Sequence, residues 1–308
     1  MRYLKNYKQL FENSNDLTKS QQYLLNRGIW GRGSKWIVNK DTGLVDINGN
    51  FDIGQDTRLT DLKGLKFGVV DGDFILDNTS IESLEGSPKT VNGNFDFSIS
   101  AVRSLKGSPR YIGGDFMGSL NWIESLDGCP EIIKGSLFIS GNNLRSLSGL
   151  TKNIGFSLDI SDNFLENLEG CPNKIEGNFN CSDNEILTNL IGGPEEVYGD
   201  YRCERNINLK SLDGASQYIE GYFILDRDKK LKWTTEGKLK FILENQEYSN
   251  LILPTIEFDD LVKCSKKNPM LLSLVKDLDT KLYEEILKKL GWDKMGKDLI
   301  RVISQGLL

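Results

Sequence analysis

One short pattern returns along this chain at a nearly constant step, and that regularity limits the fold more than any other feature. Glycine is followed two residues later by a large apolar residue in Gly49-Asn-Phe51, Gly72-Asp-Phe74, Gly93-Asn-Phe95, Gly114-Asp-Phe116 and Gly135-Ser-Leu137. It recurs in Gly177-Asn-Phe179, Gly199-Asp-Tyr201 and Gly221-Tyr-Phe223, and Phe156-Ser-Leu158 is a ninth copy with phenylalanine in the glycine's place. The key positions are 49, 72, 93, 114, 135, 156, 177, 199 and 221, so the steps are 23, then five of 21, then two of 22. A period of 20 to 50 residues is the mark of stacked units, none of which can bury its apolar face alone.

A second element lies between these segments. It reads Leu59-x-x-Leu62-x-Gly64, Ile81-x-x-Leu84-x-Gly86, Val102-x-x-Leu105-x-Gly107 and Ile123-x-x-Leu126-x-Gly128. It continues through Leu144, Leu165, Leu187 and Leu209 with the same spacing. In each unit, Phe95 and Phe97 and their equivalents point inward on a short strand while Asp96 and its equivalents point outward. Asn142, Asn163, Asn184 and Asn206 follow the strands and can cap the turn backbone. The Leu-x-x-Leu pair returns the chain, the second glycine supplies a positive φ, and a following proline stops the element.

These residues resemble leucine-rich repeats. The pattern L-x-x-L-x-L-x-x-N-x-L is met at Leu137, Ile139, Asn142 and Leu144, and departs at its first position, where the apolar residue is Ile133, one place before Lys134. The resemblance covers residues 44–228 and implies a right-handed α/β repeat solenoid with one parallel sheet, about nine units long. The fuller motif Leu-x-Ser-Leu-Glu-Gly-Cys-Pro-x-x-Ile-x-Gly-x-Phe, with its lead-in from Trp36 to Gly49, is similar to repeat proteins of tailed-phage genomes. That likeness implies a phage-encoded protein and brings no assigned activity.

Residues 1–43 and 229–308 flank the array. Leu4, Tyr7, Leu10 and Phe11 fall at helical spacing, as a helix covering the first rung requires. The same residues, Met1 to Glu12, are similar to capsid-targeting peptides that are cut after a Leu-x-Glu type sequence. On that resemblance Glu12 is the processing site and the protein is a virion component. From residue 229 the glycine ladder stops, and segments near Leu239–Leu243, Ile256–Val262, Met270–Leu278, Leu282–Leu290 and Leu299–Ile303 read as helices of a C-terminal capping domain. No apolar core of secretory length is visible at the start and no run long enough to span a bilayer, so a cytoplasmic protein is expected.

Charge divides the chain in the same places. Residues 1–40 sum to +6, residues 41–228 to −15 and residues 229–308 to +3. An acidic array repels nucleic-acid phosphate, so the expected partner is a protein with a basic surface. Simple solubility and docking of the chain's own basic ends are the competing readings of that charge. In the outward strand columns Ile75, Met117 and Phe138 are apolar where water is expected. With Asp96, Asp115 and Asp159 at their edge they form the candidate protein-binding patch, unless the terminal segments cover them.

Catalysis is not expected. The chain has no histidine, which removes triads, cysteine–histidine dyads and histidine metal sites. Cys181 and Cys203 occupy one inward column and read as core thiols, and Cys129 and Cys171 sit in a turn position shared with Ser87 and Ser108. Cys264, among lysines on an expected helix, resembles the cysteine of secreted bacterial ubiquitin ligases. Those use Cys-x-Asp, whereas Cys264-Ser-Lys266 stands here. No cofactor or metal is implied. The sequence therefore reads as a non-enzymatic binding protein.

Overall fold

A computed structural model describes residues 17–216 and 218–225, and Glu284 and Lys288 as isolated positions beyond them. Its array is a β-solenoid of parallel sheets with about nine turns. The expected helix at Leu4–Phe11, the Glu12 cleavage site, Cys264 and the C-terminal helices lie outside the described residues.

The chain enters through α1 (Lys19–Gly28), opened by a capping box in which Thr18 Oγ1 accepts the Gln21 N–H and Gln21 Oε1 accepts the Thr18 N–H. Leu24 and Leu25 enter the core, and Gly28 lies so close to the Phe51 ring that any side chain there would overlap it. The strand β1 (Ile29–Val38) then pairs antiparallel with β2 (Val45–Asp52). That hairpin strand is an addition to the sequence reading, which placed no strand before the array.

From there on every coil but that of β11 has two strands. One side carries β2, β4 (Phe74–Ile75), β6 (Phe95–Asp96), β8 (Phe116–Met117), β10 (Leu137–Phe138), β11 (Leu158–Asp159), β13 (Phe179–Asn180), β15 (Tyr201–Arg202) and β17 (Phe223–Ile224). They pair in parallel and in register, Phe74 beside Phe95 beside Phe116 beside Leu137 and onward to Phe223. Their inward rings stack, with centroids 5.8 Å apart from Phe74 to Phe95 and again from Phe95 to Phe116. We call this the phenylalanine side.

The other side carries β3 (Phe67–Val70), β5 (Thr90–Val91), β7 (Tyr111–Ile112) and β9 (Ile132–Ile133), then, after a break, β12 (Lys174–Ile175), β14 (Glu196–Val197) and β16 (Tyr218–Ile219). Its core column runs Val70, Val91, Ile112, Ile133, Ile154, Ile175, Val197, Ile219, all buried. The single-sheet expectation is corrected here: the apolar residue that stands one place early against the leucine-rich pattern begins a second strand stack, the isoleucine side. β2 is long enough to pair with both β3 and β4, so it joins the two sides into one 14-stranded sheet, while β12, β14 and β16 form a separate sheet of three.

The third stretch of each coil is the Leu-x-x-Leu segment, extended and hydrogen-bonded between coils, as from Trp122 N–H to the Val102 carbonyl at 2.9 Å. Residues 44–216 and 218–225 contain no helix, so the α/β expectation for the array gives way to an all-β unit. The reason is length. A coil of 21 residues that spends two strands and their corners retains only four or so residues between the two leucines' ends, fewer than a helix needs.

Two ladders of side chains lock the coils. Asn121, Asn142, Asn163, Asn184 and Asn206 are buried. Asn142 shows the pattern: its Nδ2 donates to the carbonyls of Gly118, Ile139 and Ser140 at 3.0, 3.1 and 3.2 Å, and its Oδ1 accepts the Ile123 N–H at 3.0 Å. The second ladder explains the first glycine column. Asp73 Oδ1 accepts the Asn94 N–H at 2.7 Å, Asn94 Oδ1 the Asp115 N–H at 2.8 Å, and Asp115 Oδ1 the Ser136 N–H at 2.7 Å. Each acceptor oxygen fills the space where the next coil's glycine would carry a Cβ, as Asp115 Oδ1 does at 2.2 Å from that position on Gly135. Phe156 stands in this column without a glycine: its N–H bonds the Gly135 carbonyl at 3.1 Å and its side chain is exposed.

Candidate functional site

The structure brings the six sequence-chosen residues onto one outward face, the phenylalanine side, but gives them different jobs. Ile75, Met117 and Phe138 are half-buried, and Met117 and Phe138 are direct neighbours across β8 and β10. The carboxylates are not free edges of a patch. Asp96 Oδ1 accepts the Ser98 N–H at 2.9 Å, and Asp159 Oδ1 accepts both the Ser161 N–H at 3.0 Å and the Ser161 hydroxyl at 2.6 Å. Both therefore close the corner after their strand as Asx turns. Asp115 belongs to the ladder described above. Each of the three is held by the backbone.

Acid crowding on this face is real. The Asp77 carboxyl is pushed above its ordinary value, chiefly by burial and then by the neighbouring Asp96 and Asp52 charges. On later coils of the same side Asp183 and Asp200 pair with Arg205 and Arg202.

The corner that follows these strands holds residues the sequence reading missed. Eight coils in turn place one residue there in the left-handed region; Asn78, Gly141, Asp162 and Asp183 are of the expected kinds, Gln55 and Arg205 are long and polar, and their φ values lie between 49° and 64°. Two adjacent coils instead use Ile99 at φ 55° and Leu120 at φ 57°, with side chains 51% and 54% exposed. The two stack directly, since the Ile99 N–H bonds the Ser119 carbonyl and the Leu120 N–H the Ser140 carbonyl, both neighbours in the turn. Leu120 leans over Gly141, its Cδ2 2.6 Å from where a Cβ on that glycine would sit. Two residues further along each coil, Trp122 and Phe164 are 53% and 42% exposed. Ile99, Leu120 and Trp122 thus lie together on the middle coils, round the corner from Met117 and Phe138, while Ile207, at the Trp122 position of a later coil, is 63% exposed. The readable signal was the column itself, in which isoleucine and leucine stand where its other members are polar or glycine.

The four described cysteines are free thiols. Cys171, Cys181 and Cys203 are buried. Burial pushes the Cys171 thiol up to about 12 and the half-buried Cys129 thiol up to about 11, and it raises Cys181 as well, so none is a thiolate at neutral pH. Among the described residues no group of three or more cysteines and carboxylates is placed to hold a metal ion, and no helix is long and apolar enough to cross a membrane.

Comparison with protein-family models, with curated proteins and with solved structures finds no match to this chain.

Proposed function

We propose that this chain is a non-enzymatic protein-binding repeat protein. Its partner carries a basic surface with an apolar centre and docks on the phenylalanine side and the corner beside it. The observation that carries this reading is the pair Ile99 and Leu120. A branched apolar residue in the left-handed region costs backbone strain of order 1 kcal/mol, and an exposed position returns none of it within the monomer. Asparagine, aspartate or glycine serves at the same corner in neighbouring coils without that cost. Strain kept at an exposed apolar pair, beside Met117, Phe138 and Trp122 and an acidic strand face, is what a docking surface requires.

The acidic array disfavours nucleic acid as the direct ligand. The resemblance of the repeat to leucine-rich arrays of tailed phages supports a phage-encoded protein acting in the host cytoplasm.

The test is a comparison of variants against a partner recovered with the wild-type chain and then purified. Leu120→Asp with Trp122→Asp, and separately Met117→Asp with Phe138→Asp, should each weaken binding at least about tenfold, as loss of central apolar contacts does. Ile191→Asp, exposed on a different turn of the array, should leave it unchanged. Binding that survives both double variants contradicts the reading.

A further inference from the structure

Beside α1 the surface reverses its charge. A cleft of about 510 Å³ lies between that helix and the first coil, a size that accommodates a small organic ligand. Its floor is apolar, made by Leu24 and Leu59, both buried. Tyr23 stands at its wall with the side chain 68% exposed. Lys19, Arg58 and Lys63 stand round it.

The one carboxylate in the lining is already neutralised. Asp56 accepts from the Arg27 guanidinium, from Arg58 Nε at 3.2 Å and from the Arg58 backbone N–H at 3.2 Å. The Arg58 side chain nevertheless remains 87% exposed, so its terminal nitrogens are available to a ligand. Four cations against one carboxylate leave the lining with an excess of three positive charges. Asp61 pairs with Lys63 at 3.4 Å from outside the lining, but the pair is exposed and weak. This excess stands on an array whose residues 41–228 sum to −15.

The cleft is also built in advance of any ligand. Lys63 is held in the left-handed region at φ 56°, its carbonyl accepting Gln21 Nε2 of α1 at 3.0 Å and its N–H donating to Asp61 Oδ1 at 2.5 Å. The helix and the cationic turn are thereby fixed to each other.

We infer that this cleft binds a single small phosphorylated molecule with a flat ring, of the nucleoside diphosphate or triphosphate class. Phosphate oxygens match the threefold positive excess and the guanidinium fork of Arg58. The ring lies on Leu24 and Leu59 against Tyr23. A nucleic-acid strand is a poorer match, because any continuation beyond the cleft meets the acidic coils. The site is separate from the partner surface proposed above and does not depend on it.

Calorimetric titration of the full chain tests this, with ADP, adenosine and inorganic phosphate as the probes. ADP should bind one to one with a Kd tighter than about 1 mM, and adenosine and phosphate should each bind at least about tenfold more weakly. Arg58→Glu should weaken ADP at least about tenfold. Lys19→Glu should do the same, and because a carboxylate favours the first turn of a helix, its loss of affinity cannot be a loss of α1. No heat with ADP, or an ADP affinity that both charge reversals leave intact, overturns the inference.

Discussion

The two strand-bearing sides of the solenoid obey the same period but differ in continuity. The phenylalanine side runs unbroken through every coil from Phe51 to Phe223. The isoleucine side is cut between β9 and β12, where a lone bridge from Ile133 to Ile154 replaces a strand pair. The coil at the break has Leu150-Thr-Lys152 where four others have a serine or cysteine followed by proline. Side chains make up the loss: Thr151 Oγ1 and Asn153 Nδ2 donate to the Glu131 carbonyl at 2.8 and 3.0 Å, and Lys152 Nζ donates to the carbonyls of Gly170 and Cys171. The lesson is that irregularity is tolerated where the chain can replace ladder bonds with side-chain bonds. The strand stack stays unbroken on the side where the glycine-column ladder links successive coils, even at Phe156.

Substitutions within that one irregular coil break the comparison most sharply. Leu158 is fully buried with a strand on either side, whereas Ile154 makes a single bridge. Leu158→Ala should cost about 4 kcal/mol and Ile154→Ala about 2 kcal/mol, read from denaturant unfolding. Equal costs would mean that the break does not loosen the isoleucine side.

A smaller effect comes from exchanging glycine and side chain in the glycine column. Gly135→Ala puts a Cβ on Asp115 Oδ1 and within 2.7 Å of the Gly114 backbone, breaking the Asp115 bond to the Ser136 N–H and forcing the coils apart locally, for an expected loss of about 2–3 kcal/mol. Phe156→Gly restores the column and should change stability by less than about 1 kcal/mol, because the Phe156 side chain is exposed. Thermal midpoints of the two variants check this asymmetry.

The smallest expected effect lies at the first coil, where β2 joins both sides. The Arg27 and Arg58 bonds hold the Asp56 carboxyl down at about 2, against an ordinary 3.8. A carboxylate lowered on folding stabilises the fold above its ordinary value and loses that contribution as pH falls. The stability difference between wild type and Asp56→Asn should therefore be complete at neutral pH and vanish between pH 3.8 and about 2. Urea midpoints measured across that window should show it, and a difference that persists at the acid end contradicts the assignment.

Much of this was legible in the sequence, and what was not has identifiable causes. The period, the inward phenylalanines, the buried asparagines and the positive-φ turn glycines follow from spacing alone. The isoleucine side was hidden because a two-residue strand such as Thr90–Val91 shows one inward residue and no alternation to read. Asp96, Asp115 and Asp159 were read as free acids because a sequence displays charge and not the amide that each carboxylate accepts. The Asp-x-Ser spacing of Asp96 to Ser98 and Asp159 to Ser161 was the available clue to an Asx turn. Ile99 and Leu120 were passed over because exposure at a corner depends on backbone handedness, which only comparison down the column reveals.

The account rests on interchangeable coils held in one register, and removing a whole coil tests that most directly. Deleting residues 114–134 joins Gly113 to Gly135 and brings the Ser136 N–H to the Asn94 acceptor in place of Asp115. The shortened chain should unfold in one cooperative transition on heating, whereas deletion of residues 114–123 alone should abolish the folded state. Loss of folding in the whole-coil deletion, or its survival in the half-coil deletion, would contradict the stacked-coil account.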